Sequence, residues 1–286
     1  MSNLGWFGSW IASNFGRAEA SVAPQPEPEP PTEWTHYSRL FRVFVLGVLA
    51  IGVLGGAGWL YETHSHKDWA VLVVAADWHA HDGGPSEAFD NARRDISAEL
   101  RGIGFDEDNM LQFSVRPERY PDAHALVSDG PTIANALSDL TNRTQGGCLI
   151  YFTSHGAPWG MVLGNVIVSP GQMAHLVDDT CGNRPTVVII SSCYSGIFVP
   201  ALSGENRMIM TAARADRASF GCGQDNRYTY FDACVVQNLP GAHGFPELAD
   251  RVKDCVSKRE VETGASPPSE PQVSIGSNVA ANLPRW

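Results

Sequence analysis

The amino-acid sequence predicts an α/β domain, a mostly parallel sheet with helices on both faces, preceded by one transmembrane helix. Two observations lead to this fold class. Between residues 69 and 260, near-continuous apolar runs alternate with amphipathic helical patterns, which is typical of strands buried between two helical layers. Ahead of them, residues 43–60 carry no charge and are about long enough to cross the hydrocarbon core of a bilayer.

The individual elements follow from these patterns in chain order. Apolar runs predict strands at residues 70–76, 110–115, 147–156, 186–193 and 206–213. Helical patterns lie at residues 86–104, 132–143 and 169–181. Ser169 followed by Pro170 predicts the start of the third helix, with serine as its N-cap. Because ligands bind at the carboxyl ends of parallel strands, those ends are where a functional site is expected.

The uncharged run at residues 43–60 is interpreted as an uncleaved membrane anchor, rather than a buried core helix or a secretory signal. About forty residues precede it, whereas a signal begins near the first residue. Arg39 and Arg42 stand just before it, so the N-terminus is expected in the cytoplasm and the following domain outside. The predicted organisation is a Pro/Glu-rich cytoplasmic segment at 1–38, the transmembrane helix at 40–61, the globular domain at 69–260 and a flexible tail at 261–286.

The charge balance narrows the classes of partner. Lys and Arg total 20 against 31 for Asp and Glu, which gives a formal net charge of -11. Phosphate binding needs clustered cations, and the sequence has no block of basic residues, so a nucleic-acid partner is excluded. The oligomeric state is left open.

Reactive side chains end two of the predicted strands. One strand ends in Ser154-His155-Gly156, and another leads into Cys193 with Gly196 close behind. A thiol and an imidazole on neighbouring strand ends suit nucleophilic thiol catalysis, with the backbone N–H groups of Gly156 and Cys193 holding an oxyanion. The alternative is a cysteine that serves as a small buried apolar residue and a histidine with a structural role.

Strand–Ser-His-Gly, a short hairpin and strand–x-x-Cys-x-Ser-Gly together resemble the legumain (asparaginyl endopeptidase) family. That family shares the caspase–haemoglobinase fold with caspases, metacaspases and the catalytic subunit of the GPI transamidase. The resemblance covers about residues 70–240 and includes the segments 156–165, 210–223 and 228–235, while residues 75–95 look like bacterial members. It implies His155 and Cys193 as a catalytic dyad and no cofactor.

The chain departs from the legumain pattern at positions that concern specificity. Legumains carry Glu two residues before the nucleophile, where this chain has Ser191. The legumain Asn-x-Arg would fall on Ala80 and Asp82, and Asp232 is the counterpart of an acidic pocket residue. Asp82, Asp232 and Ser191 are therefore the predicted substrate-pocket residues. Two acids without an arginine suit a basic side chain before the scissile bond, so asparaginyl specificity is not inherited.

Two His-x-His pairs are candidate zinc ligands, His64 with His66 and His79 with His81. No Cys or Glu motif on a helix completes such a site, and the prediction is that no metal is bound.

The predicted function is a membrane-anchored cysteine endopeptidase that acts on protein or peptide substrates on the extracytoplasmic side, which is the periplasm in a bacterium. The alternatives are a transamidase or transpeptidase of the same fold and a non-catalytic, membrane-anchored binding scaffold.

The sequence does not determine which of the other cysteines form disulfides. Without Cys193 there are five, an odd number, so at least one stays free if the others pair within the chain. Cys148 begins a buried strand and is the residue predicted to be reduced. Pairing among the other four stays open, and an extracytoplasmic location would allow it.

Overall fold

The computed structural model describes residues 41–49, 52 and 66–286 of the chain. It has two units, Met1–Leu54 and Gly55–Trp286. In the first unit, helix α1 covers residues 41–49, and all of its described residues are exposed. Among the described residues, no helix combines the length and apolarity needed to cross a bilayer. Most of the predicted transmembrane helix and all of the predicted cytoplasmic segment lie outside the described residues.

A mostly parallel sheet forms the centre of the second unit. The strands are β1 (Ala70–Ala75), β2 (Met110–Ser114), β3 (Leu126–Val127), β4 (Cys148–Thr153), β5 (Gly156–Ala157), β6 (Gly160–Leu163), β7 (Val166–Val168), β8 (Thr186–Ser191), β9 (Arg207–Thr211) and β10 (Gln272–Ile275). Seven of them form one sheet in the order β10-β9-β8-β4-β1-β2-β3, and β5-β6-β7 form a small second sheet. In the large sheet β10 pairs antiparallel with β9, and the other neighbouring pairs are parallel.

Helices cover both faces of the large sheet, as predicted. They are α2 (Ala88–Gly102), α3 (Gly130–Arg143), α4 (Pro170–Cys181), α5 (Val199–Leu202), α6 (Tyr230–Asn238) and α7 (Phe245–Thr263). Successive side chains of a strand point to opposite faces, so each strand contributes to two separate cores. Val71 and Val73 pack in one core with α2, α6 and α7, whereas Leu72 and Val74 pack in the other with α3, α4 and α5.

Helix α4 begins where the sequence predicts. The Ser169 side chain accepts a hydrogen bond from the Gln172 N–H, and the Gln172 side chain accepts one from the Ser169 N–H. This reciprocal capping satisfies two backbone donors that the helix itself leaves without partners. Pro170 follows as the first helical residue, a position at which its missing N–H costs nothing.

The C-terminal segment differs from the predicted flexible tail. Strand β10 extends the sheet beside β9, and Val279 and Leu283 are buried. The Trp286 ring packs edge-on against Phe245, with the ring centroids 5.0 Å apart. The prediction was wrong because β10 is a short edge strand with half-exposed residues, which produces no strong apolar pattern in the sequence.

The structure also corrects the pairing of the cysteines. The two disulfides are Cys148–Cys181 and Cys234–Cys255. The prediction that Cys148 is reduced was wrong, because α4 returns along β4 and brings its last residue next to the first residue of that strand. The free thiols of the described chain are Cys193 and Cys222.

Candidate active site

The predicted reactive residues follow the carboxyl ends of two adjacent parallel strands. Thr153, the last residue of β4, is the register partner of Ser191, the last residue of β8. The pairing continues beyond the strand, since the Ser154 N–H donates to the Ser191 carbonyl at 3.0 Å. His155 and Cys193 each come two residues after these paired ends. The fold therefore brings both residues to matching positions on one edge of the sheet.

Gly156 packs directly against the backbone of Cys193. A β-carbon on Gly156 would lie 2.0 Å from the Cys193 carbonyl oxygen, so a side chain cannot fit unless the backbone moves. The His155 carbonyl accepts from the Val162 N–H at 3.0 Å. His155 and Val162 therefore form a hydrogen-bonded pair, and such pairs alternate with non-hydrogen-bonded pairs along an antiparallel ladder. The next pair, Gly156 and Met161, is non-hydrogen-bonded, so the Gly156 N–H points away from β6.

The imidazole of His155 is held by a backbone carbonyl. Its Nε2 lies 2.9 Å from the His79 carbonyl oxygen, and the Phe89 ring packs edge-on against it with centroids 5.1 Å apart. A carbonyl oxygen only accepts, so Nε2 carries the proton and Nδ1 of the neutral ring is the acceptor. His155 is therefore oriented to take a proton through Nδ1.

The thiol of Cys193 is half-buried against Ser219. The Ser219 N–H donates to the sulfur at 3.3 Å, and the Ser219 carbonyl oxygen lies 3.5 Å from it. Tyr194 follows in the left-handed conformation, with φ of 57°, and its N–H donates to the Arg217 carbonyl at 2.8 Å. A residue without a glycine's freedom in this conformation is strained, and such strain clusters at functional sites. The sharp turn presents the thiol at the end of β8.

Two of the predicted pocket residues lie in a buried polar cluster under the strand ends. Asp232, on the first turn of α6, is fully buried, and its carboxylate accepts from the hydroxyls of Tyr151 and Thr153, each at 2.6 Å. The Ser191 hydroxyl lies 3.3 Å from that of Thr229, which caps α6 by accepting the Asp232 N–H. Burial raises the pKa of Asp232, although the hydroxyl donors act in the opposite direction.

The third predicted pocket residue, Asp82, is exposed on a loop that flanks the site. Its carboxylate accepts from the Gln224 side chain at 2.9 Å and from the Gly84 N–H at 3.0 Å, and these bonds lower its pKa. The same loop contains the carbonyl that holds His155, and the segment that carries Gln224 begins at Ser219 beside the thiol. Asp82 thus joins two flanking segments, whereas Ser191 and Asp232 lie beneath them.

The second free thiol, Cys222, is expected to react slowly. Burial raises its pKa to about 11, and the charge of nearby Cys193 adds to the effect. Only the thiolate is nucleophilic, so at pH 8 we expect iodoacetamide to modify Cys222 about a hundredfold more slowly than a free cysteine peptide. Peptide mapping by mass spectrometry at successive times measures this rate. Modification of Cys222 at the rate of a free thiol would contradict its burial.

Sequence reasoning missed the groups that hold the two reactive side chains. A signal existed for His79, because residues 77–79 directly follow β1, the neighbour of β4, and the strand-end rule applies to them too. Ser219 and Thr229 lie in the segments 210–223 and 228–235 that resemble legumain, but the resemblance assigns a role to neither residue. Only the folded chain brings them to the site.

Comparison with known proteins identifies the family and the fold. The sequence profile of the peptidase C13 family matches residues 124–272, a span that contains His155, Cys193 and Asp232. The chain belongs to the peptidase C13 family. It is a cysteine-type peptidase, a hydrolase, and its resemblance to legumain is confirmed.

Among solved structures, caspase-1 from Spodoptera frugiperda has a fold similar to that of this C13 peptidase. The TM-score is 0.53 over 74% of this chain and 87% of the caspase chain, at 13% sequence identity. At that identity the likeness concerns the fold alone, and it confirms the predicted caspase-like arrangement of sheet and helices. No curated protein matches the chain.

Proposed function

We propose that this C13 peptidase is a membrane-anchored cysteine endopeptidase that cleaves peptide bonds through Cys193 and His155. The register of β4 and β8 carries the proposal, because both residues stand two positions beyond a paired strand end. The thiol is partly exposed, and the imidazole has its Nε2 bound to the His79 carbonyl. An accessible thiol with an oriented imidazole is the arrangement that thiol catalysis requires.

In the proposed reaction, His155 takes the proton of the Cys193 thiol, and the thiolate attacks the peptide carbonyl carbon. The N–H groups of Gly156 and Cys193 donate to the oxyanion of the tetrahedral intermediate. The C–N bond then breaks, the proton on His155 passes to the leaving amine, and a thioester remains on Cys193. Next, His155 takes a proton from water, the resulting hydroxide attacks the thioester, and the thiol is restored as the acid product leaves.

The primary specificity pocket is proposed to involve Asp82, Ser191 and Asp232. Asp82 is exposed and, like any solvated aspartate, charged at neutral pH, and its hydrogen bonds lower its pKa further. Ser191 and Asp232 shape the polar floor from beneath the strand ends. An acidic rim without the arginine of legumain suits an arginine or lysine side chain before the scissile bond.

The membrane anchor and the extracytoplasmic location belong to the same proposal. Residues 43–60 supply the uncharged run, with Arg39 and Arg42 on the cytoplasmic side. The two disulfides of the catalytic domain support an oxidising compartment, since cytosolic thiols are kept reduced. Deletion of residues 40–61 is expected to release the protein from carbonate-washed membranes, and retention of the deleted form in the pellet would contradict the anchor.

A positional-scanning peptide library tests the reaction and the pocket together. The full chain is expected to prefer a basic residue before the scissile bond, and Asp82→Asn is expected to lower kcat/KM for that peptide about tenfold. Asp122→Asn removes an exposed carboxylate from the loop before β3 and is the control, with kcat/KM expected to stay at the starting value.

Two results of this assay would contradict the proposal. A preference for asparagine would exclude the basic pocket. A new amide product in the presence of an added amine would assign the thioester to transpeptidation instead of hydrolysis.

A further inference from the structure

The carbonyl that holds His155 belongs to a turn built around Asp77. Asp77 stands two residues after the end of β1. The intervening Ala76 still pairs with β4, because its N–H donates to the Thr153 carbonyl at 3.0 Å. The carboxylate of Asp77 is nearly inaccessible, with 8% of its side chain exposed. From the contacts of this side chain, we infer that Asp77 is a positioning residue for the proposed dyad, on which this inference rests.

One oxygen of Asp77 collects three hydrogen bonds from the next two residues. Its Oδ1 accepts from the Trp78 N–H at 2.6 Å and from the His79 N–H at 3.2 Å. The Nδ1 of the His79 ring lies 2.8 Å from the same oxygen. His79 is therefore held by both its backbone and its side chain, and its carbonyl oxygen faces the Nε2 of His155 at 2.9 Å.

The Asp77 side chain supplies a strong acceptor for these three donors. Hydrogen bonds to a carboxylate are roughly twice as strong as those between neutral groups. The cost of burying the carboxylate is offset by the three donors that converge on it. These hydrogen bonds fix the position of the His79 carbonyl. That carbonyl in turn sets the orientation of the His155 ring. A shift of about 1 Å in such a group can cost about 100-fold in rate.

Other contacts close the loop without Asp77. The Ser86 N–H donates to the Trp78 carbonyl at 2.8 Å, and the Ala80 N–H donates to the Gly84 carbonyl at 2.7 Å. The Arg116 guanidinium lies over the Trp78 ring, 4.5 Å from its centroid. Because these contacts hold the loop in place, loss of the carboxylate is expected to displace one carbonyl rather than unfold the loop.

The test compares two variants of Asp77 in the full chain. Asp77→Ala is expected to lower kcat about 10- to 100-fold while KM changes less than about threefold. Asp77→Asn keeps an oxygen that can accept the same donors, and kcat is expected to recover to within about threefold of the starting enzyme. The rate at which iodoacetamide modifies Cys193 at neutral pH is expected to fall in parallel with kcat, because it depends on the same imidazole.

Asp106 offers a matched control. Its Oδ1 also accepts a backbone N–H two residues on, from Asp108 at 3.0 Å, in a turn before β2 at the opposite end of the strands. Asp106→Ala is expected to leave kcat unchanged. If Asp77→Ala does not fold, as judged by circular dichroism, Asp77→Ser replaces it with the same expected loss of kcat, because its shorter hydroxyl cannot reach all three donors.

The outcomes separate this inference from the proposed function. Unchanged kcat in Asp77→Ala, or a change confined to KM, would overturn the positioning role while leaving the dyad intact. Hydrolysis that persists in Cys193→Ala or His155→Ala would overturn the dyad itself.

Discussion

Replacement of Cys193 by alanine is expected to lower kcat for the preferred peptide by about 10⁴-fold or more. In the proposed mechanism the thiol forms the covalent intermediate, and the residual rate comes from the oxyanion donors and from substrate binding alone. KM is expected to change little, because the thiol contributes to the transition state rather than to binding. Steady-state hydrolysis of a fluorogenic peptide measures both kcat and KM.

His155→Ala is expected to cost about as much as Cys193→Ala, and the double variant no more than either. In the proposed mechanism the two residues act as one unit, because the thiol needs the imidazole to remove its proton. Cys222→Ala is the matched control, because Cys222 is the other free thiol of the described chain. Its kcat is expected to stay within about twofold of the starting enzyme. Independent, multiplicative losses in the double variant would show that the two residues do not share a reaction step.

The central strands of the sheet are predictable from the sequence, whereas the edge strand β10 is not. Strand β1 is buried along its whole length, so its apolar run stands out, and the same holds for β4 and β8. Strand β10 pairs on one side only, and polar residues such as Gln272 and Ser274 interrupt its pattern. Burial on both faces produces the signal that sequence reading detects, and an edge strand lacks it.

Some features of the site are likewise predictable from local sequence, whereas others depend on contacts between distant segments. The placement of His155 and Cys193 at neighbouring strand ends was predictable, because a strand and a following glycine are local features and the topology sets parallel strand ends side by side. The groups that contact the two proposed catalytic side chains come from distant segments. His79 lies 76 residues before His155 in the chain, and Ser219 lies 26 residues after Cys193. No local pattern records such contacts.

A buried ion pair on α2 carries the largest effect that we expect on stability. Arg93 donates through Nε to Asp90 at 2.9 Å, and each side chain is 1% exposed. Arg93 also lies over the Tyr120 ring, 5.0 Å from its centroid, and Asp90 accepts from the Ser114 hydroxyl at 3.1 Å. Burial raises the pKa of Asp90 even though Arg93 stands beside it. The guanidinium of Arg93 offsets part of the cost of burying this carboxylate.

Arg93→Ala is expected to lower the free energy of unfolding by about 3–5 kcal/mol, because it leaves a buried charge without its partner. For a domain of this size the thermal midpoint falls by about 10 °C, measurable by circular dichroism. Arg101→Ala on the same helix breaks an exposed pair with Glu107 and is expected to cost less than about 1 kcal/mol. Adding Asp90→Asn to Arg93→Ala is expected to restore part of the loss, since a neutral amide costs less to bury than an unpaired carboxylate. If the second change restores nothing, the loss comes from the packing of the arginine stem against Tyr120 and not from the stranded charge.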